Sequence, residues 1–292
     1  MSSIQMRALA LFLRLVVRPR TAASDPTARQ GPAVAPVGPS AALRRRHEVS
    51  RRDVEGFVCH TVAPRDRRAE RAVVYLHGGA YVREMAPQHW QFVSRLADAG
   101  LRVEVPHYGL APHHTYREAY PFVTAVYRQL LDHVGSDRVS VMGDSAGAGL
   151  ALGFTQTLAG AGLPQPGRLV LISPWLDLAL ANPDIPEVEA RDPWLTTTGL
   201  LRAGRSWAGG DDPTDPRLSP IHGPLSPLPE TDVYIGTRDL FHPDVLLLAQ
   251  RAASAGTRIN LTELDGGVHV YPITPVSEGR AAARAIVRSV SA

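Results

Sequence analysis

The run Gly143-Asp144-Ser145-Ala146-Gly147 constrains this chain more than any other feature of it. It follows an apolar stretch at 139–142 that has strand character and opens a stretch at 146–159 that has helix character. A chain that passes from strand to helix through a serine between two glycines has the form of a nucleophile elbow. The sharp turn leaves no room for side chains at the flanking positions, and the serine sits in a strained backbone conformation. Its hydroxyl then projects at the carboxyl ends of the strands, where the helix N-terminus favours developing negative charge. The pattern therefore points to nucleophilic chemistry at Ser145 and asks the rest of the chain for an oxyanion-binding loop, an acid and a base.

Upstream, His77-Gly78-Gly79-Ala80-Tyr81 follows the apolar stretch 72–76, where an oxyanion-binding loop would lie. Paired backbone N–H groups of that loop, with the N–H of Ala146, suit a tetrahedral oxyanion, and one such donor is typically worth about 100- to 1,000-fold in rate. His77 is expected to hydrogen-bond within its own loop. The acid belongs just after a later strand, at the carboxyl edge of the sheet. Asp239 stands four residues beyond Ile235, the end of an expected strand at 233–235. Asp232 lies at the opposite end of that strand and should point away. Asp244 is the nearer competitor, but it falls in the first turn of an expected helix at 243–255, where an acidic residue complements the helix dipole. The base comes last in the order Ser, Asp, His. His242 is too close in sequence to Asp239 for the usual loop arrangement, whereas His269 follows the final expected strand, 259–264, in Asp265-Gly266-Gly267-Val268-His269.

Composition removes several other chemistries. All 31 cationic residues are arginine, so a phosphate-binding P-loop, a Schiff-base lysine and a Ser-x-x-Lys nucleophile are all excluded. The net charge is only +3 and no basic run carries interleaved aromatics, so a nucleic-acid partner is not expected. One cysteine, Cys59, rules out an internal disulfide and a cysteine metal cluster, and it is compatible with a cytoplasmic protein. His113 and His114 are adjacent and would point to opposite sides of an extended segment, so no metal is expected there. Gly147-Ala148-Gly149 lacks the third glycine of a dinucleotide fingerprint. No cofactor is implied.

With 292 residues and 44% apolar composition, one large catalytic core is expected. Short strand patterns at 72–76, 101–106, 139–142, 169–172, 233–235 and 259–264 alternate with helical ones at 90–99, 120–133, 146–159, 243–255 and 276–290. That alternation implies a largely parallel sheet with helices on both faces. Residues 6–17 are apolar but too short to span a bilayer, and Arg7 and Arg14 interrupt them, so no stable membrane insertion is expected. Ile4, Ala8, Leu11 and Leu15 fall on one helical face and Arg7, Arg14 and Arg18 on the other. The apolar side chains of this helix, Leu9, Phe12 and Val16 among them, need burial. Residues 21–40 read as an irregular connector rich in Pro, Ala and Gly. The roughly sixty residues between 173 and 233 are too many for an ordinary connection and read as an insertion with a helix near 198–207.

On these residues the chain resembles the hormone-sensitive lipase family of bacterial esterases from about Arg71 onward. The motifs, in order, are His77-Gly78-Gly79, Tyr108-Gly109-Leu110-Ala111-Pro112, Gly143-Asp144-Ser145-Ala146-Gly147, Asp239-Leu240 and His269. The resemblance implies an α/β-hydrolase fold with a mostly parallel sheet and a helical cap. The cap would comprise residues 1–43, a helix and connector, and an insertion at about 176–230 within a catalytic domain at 44–292. It also implies that Gly78 and Gly79 supply oxyanion N–H groups, and that a Ser145-His269-Asp239 triad hydrolyses short to medium acyl esters, the partner being a small-molecule ester. The sequence departs from the family at Ala80, Gly109, His113 and Gly149, where a glycine, an arginine, a glutamate and an asparagine are usual. Amide or lactone cleavage by the same triad is a second enzyme reading. A non-catalytic ligand receptor, as in plant gibberellin receptors that lack the catalytic histidine, is a third, and the presence of His269 speaks against it. A homodimer is compatible with all three.

Overall fold

The computed structural model describes residues 2–19 and 37–292, so most of the expected connector at 21–40 lies outside the described residues and only 37–40 are seen to be irregular. The core strands β3 (Ala72–Leu76), β5 (Val139–Asp144) and β6 (Arg168–Ile172) are mostly apolar and, Arg168 apart, buried, because helices cover both of their faces. With β1 (Glu48–Val54), β2 (Phe57–Ala63), β4 (Arg102–Pro106), β7 (Glu230–Gly236) and β8 (Ile259–Leu264) they form one eight-stranded sheet, ordered β1-β2-β4-β3-β5-β6-β7-β8. Pairings from β4 to β8 are parallel, while β1–β2 and β2–β4 are antiparallel.

Side chains alternate across the sheet with period two and feed two cores. Val74, Leu76, Val141, Leu169, Leu171 and Val233 pack on the face covered by α4 (Tyr116–Leu131), α5 (Ala146–Thr157) and α8 (His242–Ser254). Val73, Tyr75, Val105, Met142, Val170 and Ile172 pack on the other, against α3 (Pro87–Asp98), α9 (Ser277–Ser291) and the N-terminal helix. The short helix α2 (Ala41–Arg46) leads into β1. The insertion carries α6 (Ile185–Arg191) and α7 (Thr197–Ala208), the second of them at the position the sequence indicates.

The β1–β2 hairpin has no counterpart in the sequence reading. Its turn is Glu55-Gly56, both at positive φ (49° and 81°), the geometry that two-residue hairpin loops require. β1 lies at the sheet edge and is mostly exposed, so it carries almost no apolar signal, and its charged Arg51, Arg52 and Asp53 discourage edge-to-edge pairing. Behind it, the fully buried Glu104 is held by Arg52 Nη1 and Arg102 Nε, each at 2.6 Å. Cys59 Sγ lies 3.5 Å from the same carboxylate, and burial, with that neighbouring charge adding to it, pushes its thiol pKa far up.

The N-terminal helix α1 (Ile4–Phe12) continues into a π-helical turn, Leu13–Val17. Its packed face corrects the expectation. Met6, Ala10 and Leu13 are buried, whereas Ile4, Leu11, Phe12 and Leu15 are each more than half exposed. The segment is apolar almost all round, so periodicity cannot select the face that packs, and the wider π turn rotates the later residues further. Both ends are tied down: Ser3 bonds Glu278 of α9 through N–H (2.7 Å) and hydroxyl (2.9 Å), and Arg18 reaches the carbonyls of Asp192 (2.5 Å) and Glu189 (3.3 Å) in the insertion.

Candidate active site

Ser145 joins β5 to α5 with φ 54° and ψ −121°, a strained conformation for a residue with a side chain, of order 1–3 kcal/mol. Hydrogen bonds on both sides hold it: its N–H donates to the Ile172 carbonyl (2.8 Å), and its carbonyl accepts from the Trp175 N–H (3.1 Å). A Cβ on Gly143 would lie 2.4 Å from the Gly147 backbone, and one on Gly147 would lie 2.1 Å from the Leu76 carbonyl oxygen. Both glycines are therefore required by the close approach of backbone. Among the described residues, five of the seven non-glycine positions with positive φ lie around this point: Ala80, Tyr81, Ser145, Ser173 and Val270.

The three residues singled out for a triad come together. Ser145 Oγ is 3.0 Å from His269 Nε2, and His269 Nδ1 is 2.9 Å from Asp239 Oδ2. The other oxygen of Asp239 accepts the Phe241 N–H at 3.1 Å. In this arrangement Nδ1–H donates to the carboxylate and the Nε2 lone pair faces the serine hydroxyl. His269 is buried between the edges of the Trp194 and Phe241 rings, with centroids 5.5 and 5.4 Å away. Burial by itself lowers its pKa, but the charge and hydrogen bond of Asp239, with the charges of Asp192 and Asp144, outweigh it and the net shift is upward.

The loop after β3 corrects one assignment. The Gly78 N–H donates to Asp144 Oδ1 at 3.0 Å and is not available to an oxyanion. A Cβ on Gly78 would sit 2.3 Å from the other oxygen of that carboxylate, so glycine here serves the approach of Asp144. Asp144 also accepts from the Tyr75 hydroxyl (2.6 Å) and meets His89 Nε2 at 3.2 Å. Burial would raise its pKa, but the charge of His89 and these bonds outweigh it and hold it below the usual carboxylate range. Among the described residues, the N–H groups of Gly79, Ala80 and Ala146 find no acceptor. His77 bonds the Gly78 carbonyl through Nδ1 at 2.7 Å, within its own loop as expected, and Tyr108 fixes the His77 carbonyl at 2.5 Å.

The competing residues lie elsewhere. Asp244 is in the first turn of α8, but it is buried, its Oδ2 has no partner among the described residues, and burial pushes its pKa up to about 6. It lines a groove between α6 and α8. His242 pairs with Glu263 at 2.6 Å, and Asp232 is held by Arg168 at 2.8 Å. No group of three or more metal-ligating side chains occurs among the described residues. Sequence reasoning missed Asp144, although it stands inside the elbow motif, and Asp192, which lies in the insertion and carries no local signal.

An alpha/beta hydrolase fold family model matches residues 73–273. An acetyl-hydrolase of Streptomyces hygroscopicus is 38% identical over 222 residues, covering 74% of each chain. Esterase LipU of Mycobacterium tuberculosis (strain ATCC 25618 / H37Rv) is 32% identical over 213 residues, which cover 70% of this chain and 71% of the relative. The crystal structure of an esterase from the bacterial hormone-sensitive lipase family superposes with a TM-score of 0.82 at 26% identity, covering 100% of this chain and 98% of that one.

Proposed function

The chain belongs to the α/β-hydrolase-fold family and is a carboxylic ester hydrolase of the hormone-sensitive lipase type, and from that premise we propose that Ser145, His269 and Asp239 are its catalytic triad. The observation that carries the reading is the continuous hydrogen-bonded line from Ser145 Oγ through His269 to Asp239, at 3.0 and 2.9 Å. His269 Nε2 takes the hydroxyl proton as Oγ bonds to the ester carbonyl carbon. The resulting oxyanion is received by the N–H groups of Gly79, Ala80 and Ala146. The intermediate collapses to an acyl-serine, and His269 gives its proton to the departing alcohol. Water, deprotonated by the same imidazole, then releases the acid and restores the serine. Asp239 holds the imidazole tautomer and stabilises the imidazolium in both halves.

The substrate class proposed is a small-molecule ester with a short to medium acyl group, a reading that the acetyl-hydrolase relative supports. We place the N-terminal helix and the insertion at about 176–230 over the acyl pocket as a cap. Two contacts support that: Trp194 of the insertion lies against His269, and Arg18 is bonded to the insertion. No helix among the described residues is long and apolar enough to cross a membrane.

The test is labelling with a fluorophosphonate probe alongside turnover of nitrophenyl esters from acetate to decanoate. The wild-type protein should label and prefer the shorter esters. Ser145→Ala should not label, and its turnover should fall by on the order of 100,000-fold or more. Retention of more than a few per cent of turnover in purified, folded Ser145→Ala would refute the assignment.

A further inference from the structure

Asp192 caps the end of α6 and is almost wholly buried. Its carboxylate accepts three backbone N–H groups. Oδ1 takes those of Trp194 (2.6 Å) and Leu195 (2.9 Å), and Oδ2 takes that of Leu240 (2.8 Å). Each partner serves the site. Leu240 follows Asp239 directly, so the bond fixes the peptide next to the proposed acid. Trp194 presents its ring to His269 at 5.5 Å, almost edge-on (75°). One oxygen therefore holds the loop that carries the acid, and the other holds the residue that walls the base.

The chemistry calls for an anion. All three partners are donors, and an amide at this position would place its own N–H against either the Leu240 or the Trp194 N–H. An aspartate that only closed the turn at 192–195 would need Oδ1 alone and would sit equally well at the surface. A carboxylate buried this deeply is unfavourable unless something offsets it. The N–H bonds do so in part in the resting state. In the reaction, a positive imidazolium forms at His269.

We propose that Asp192 is a positioning residue for the acid–base pair: its carboxylate anchors the Asp239 loop and supplies a second negative charge that favours the imidazolium of His269. The proposal rests on the triad reading above. The carboxyl groups whose charge acts on His269 are those of Asp239 from the loop after β7, Asp192 from the insertion and Asp144 from the end of β5. Ser145, Trp194 and Phe241 also lie against it. Burial, reinforced by the charge of Asp239, raises the pKa of Asp192 itself, while its N–H donors and a positive His269 favour the carboxylate.

Two variants test it. Asp192→Asn keeps the shape and removes the charge. Asp192→Ser keeps an oxygen for the turn N–H groups, so it decides the matter where the amide variant does not fold. The readouts are kcat and KM for nitrophenyl acetate across pH, with thermal unfolding alongside. The carboxylate raises the pKa of His269, so losing it lowers that pKa and carries the acid limb of kcat/KM to lower pH. A shift of about half a pH unit or more is expected in both variants. A fall in kcat of about 10-fold with KM nearly unchanged should accompany it, the scale seen for residues that orient catalytic ligands elsewhere. An acid limb that coincides with the wild type in the folded variants overturns the inference, whatever happens to kcat or Tm. If Ser145→Ala is dead and that limb stays put, this inference alone fails; if Ser145→Ala retains turnover, the triad reading fails first.

Discussion

The elbow around Ser145 takes its geometry from one unbroken stretch of chain, β5 and the start of α5, whereas the acid and the base are assembled from separate pieces. Asp239 follows β7, His269 follows β8, and Asp192 reaches in from the insertion. In the first region backbone meets backbone with no space between, and the side chains that matter are absent ones. In the second, side chains meet side chains and main-chain N–H groups across loops. The difference teaches that filling the space at the elbow's glycines damages folding, whereas damage at the acid–base end is damage to chemistry.

Gly147→Ala should have the largest effect. The added methyl would lie 2.1 and 2.4 Å from the carbonyl oxygens of Leu76, the last residue of β3, and His77, whose carbonyl Tyr108 holds. The expected outcome is loss of soluble folded protein, or a drop in stability of more than about 4 kcal/mol, read from yield and thermal unfolding. A normal Tm would break the comparison at its strongest point. Next comes Asp239→Asn, which can keep the Phe241 N–H bond through its one oxygen but presents the wrong partner to the imidazole. Here kcat should fall by on the order of 10,000-fold with Tm within a few degrees of wild type. A loss of less than 10-fold would remove Asp239 from the role of acid.

The smallest effect is expected at Asp244→Asn, outside both regions. The folded pKa of Asp244 is raised to about 6, above its value in the unfolded chain, by burial. Stability associated with its protonated form is therefore present at low pH and lost as pH rises toward 6. Replacing the carboxyl by an amide should raise stability by about 1–2 kcal/mol above pH 6, have no effect below about pH 4, and leave kcat unchanged. Unfolding curves at pH 4 and pH 8 decide it; equal shifts at both would show that charge is not the cause.

The same contrast explains what could be read from the sequence. β3, β5 and β6 announce themselves because parallel strands buried on both faces are mostly apolar, β8 by the alternation of apolar and polar residues in a half-exposed edge strand, and the elbow is legible because its requirements are local. Asp239 and His269 follow from chain order relative to strands. Asp192 was silent because nothing near it in sequence shows that it will touch Leu240, 48 positions away. The packed face of α1 was misread because the helix is apolar on nearly every side, and β1 was missed because an exposed, charged edge strand has no apolar period to detect. Gly78 was misassigned for a related reason: sequence shows that the loop needs small residues, but not that the Asp144 carboxylate has already taken that N–H.

Cys59 carries a practical consequence. It is the single thiol of the chain, it is fully buried, and its pKa is pushed far above the physiological range by burial beside Glu104. Alkylating agents and peroxides react with thiolates that they can reach, and this sulfur is neither ionised nor reachable while the fold persists. With no lysine either, the intact molecule offers amine- and thiol-directed labels little beyond its α-amino group. A cysteine placed on the insertion, or on the outer side of α1, would then be the one accessible thiol, and a dye attached to it would report on the movement of that element with no background from the rest of the protein.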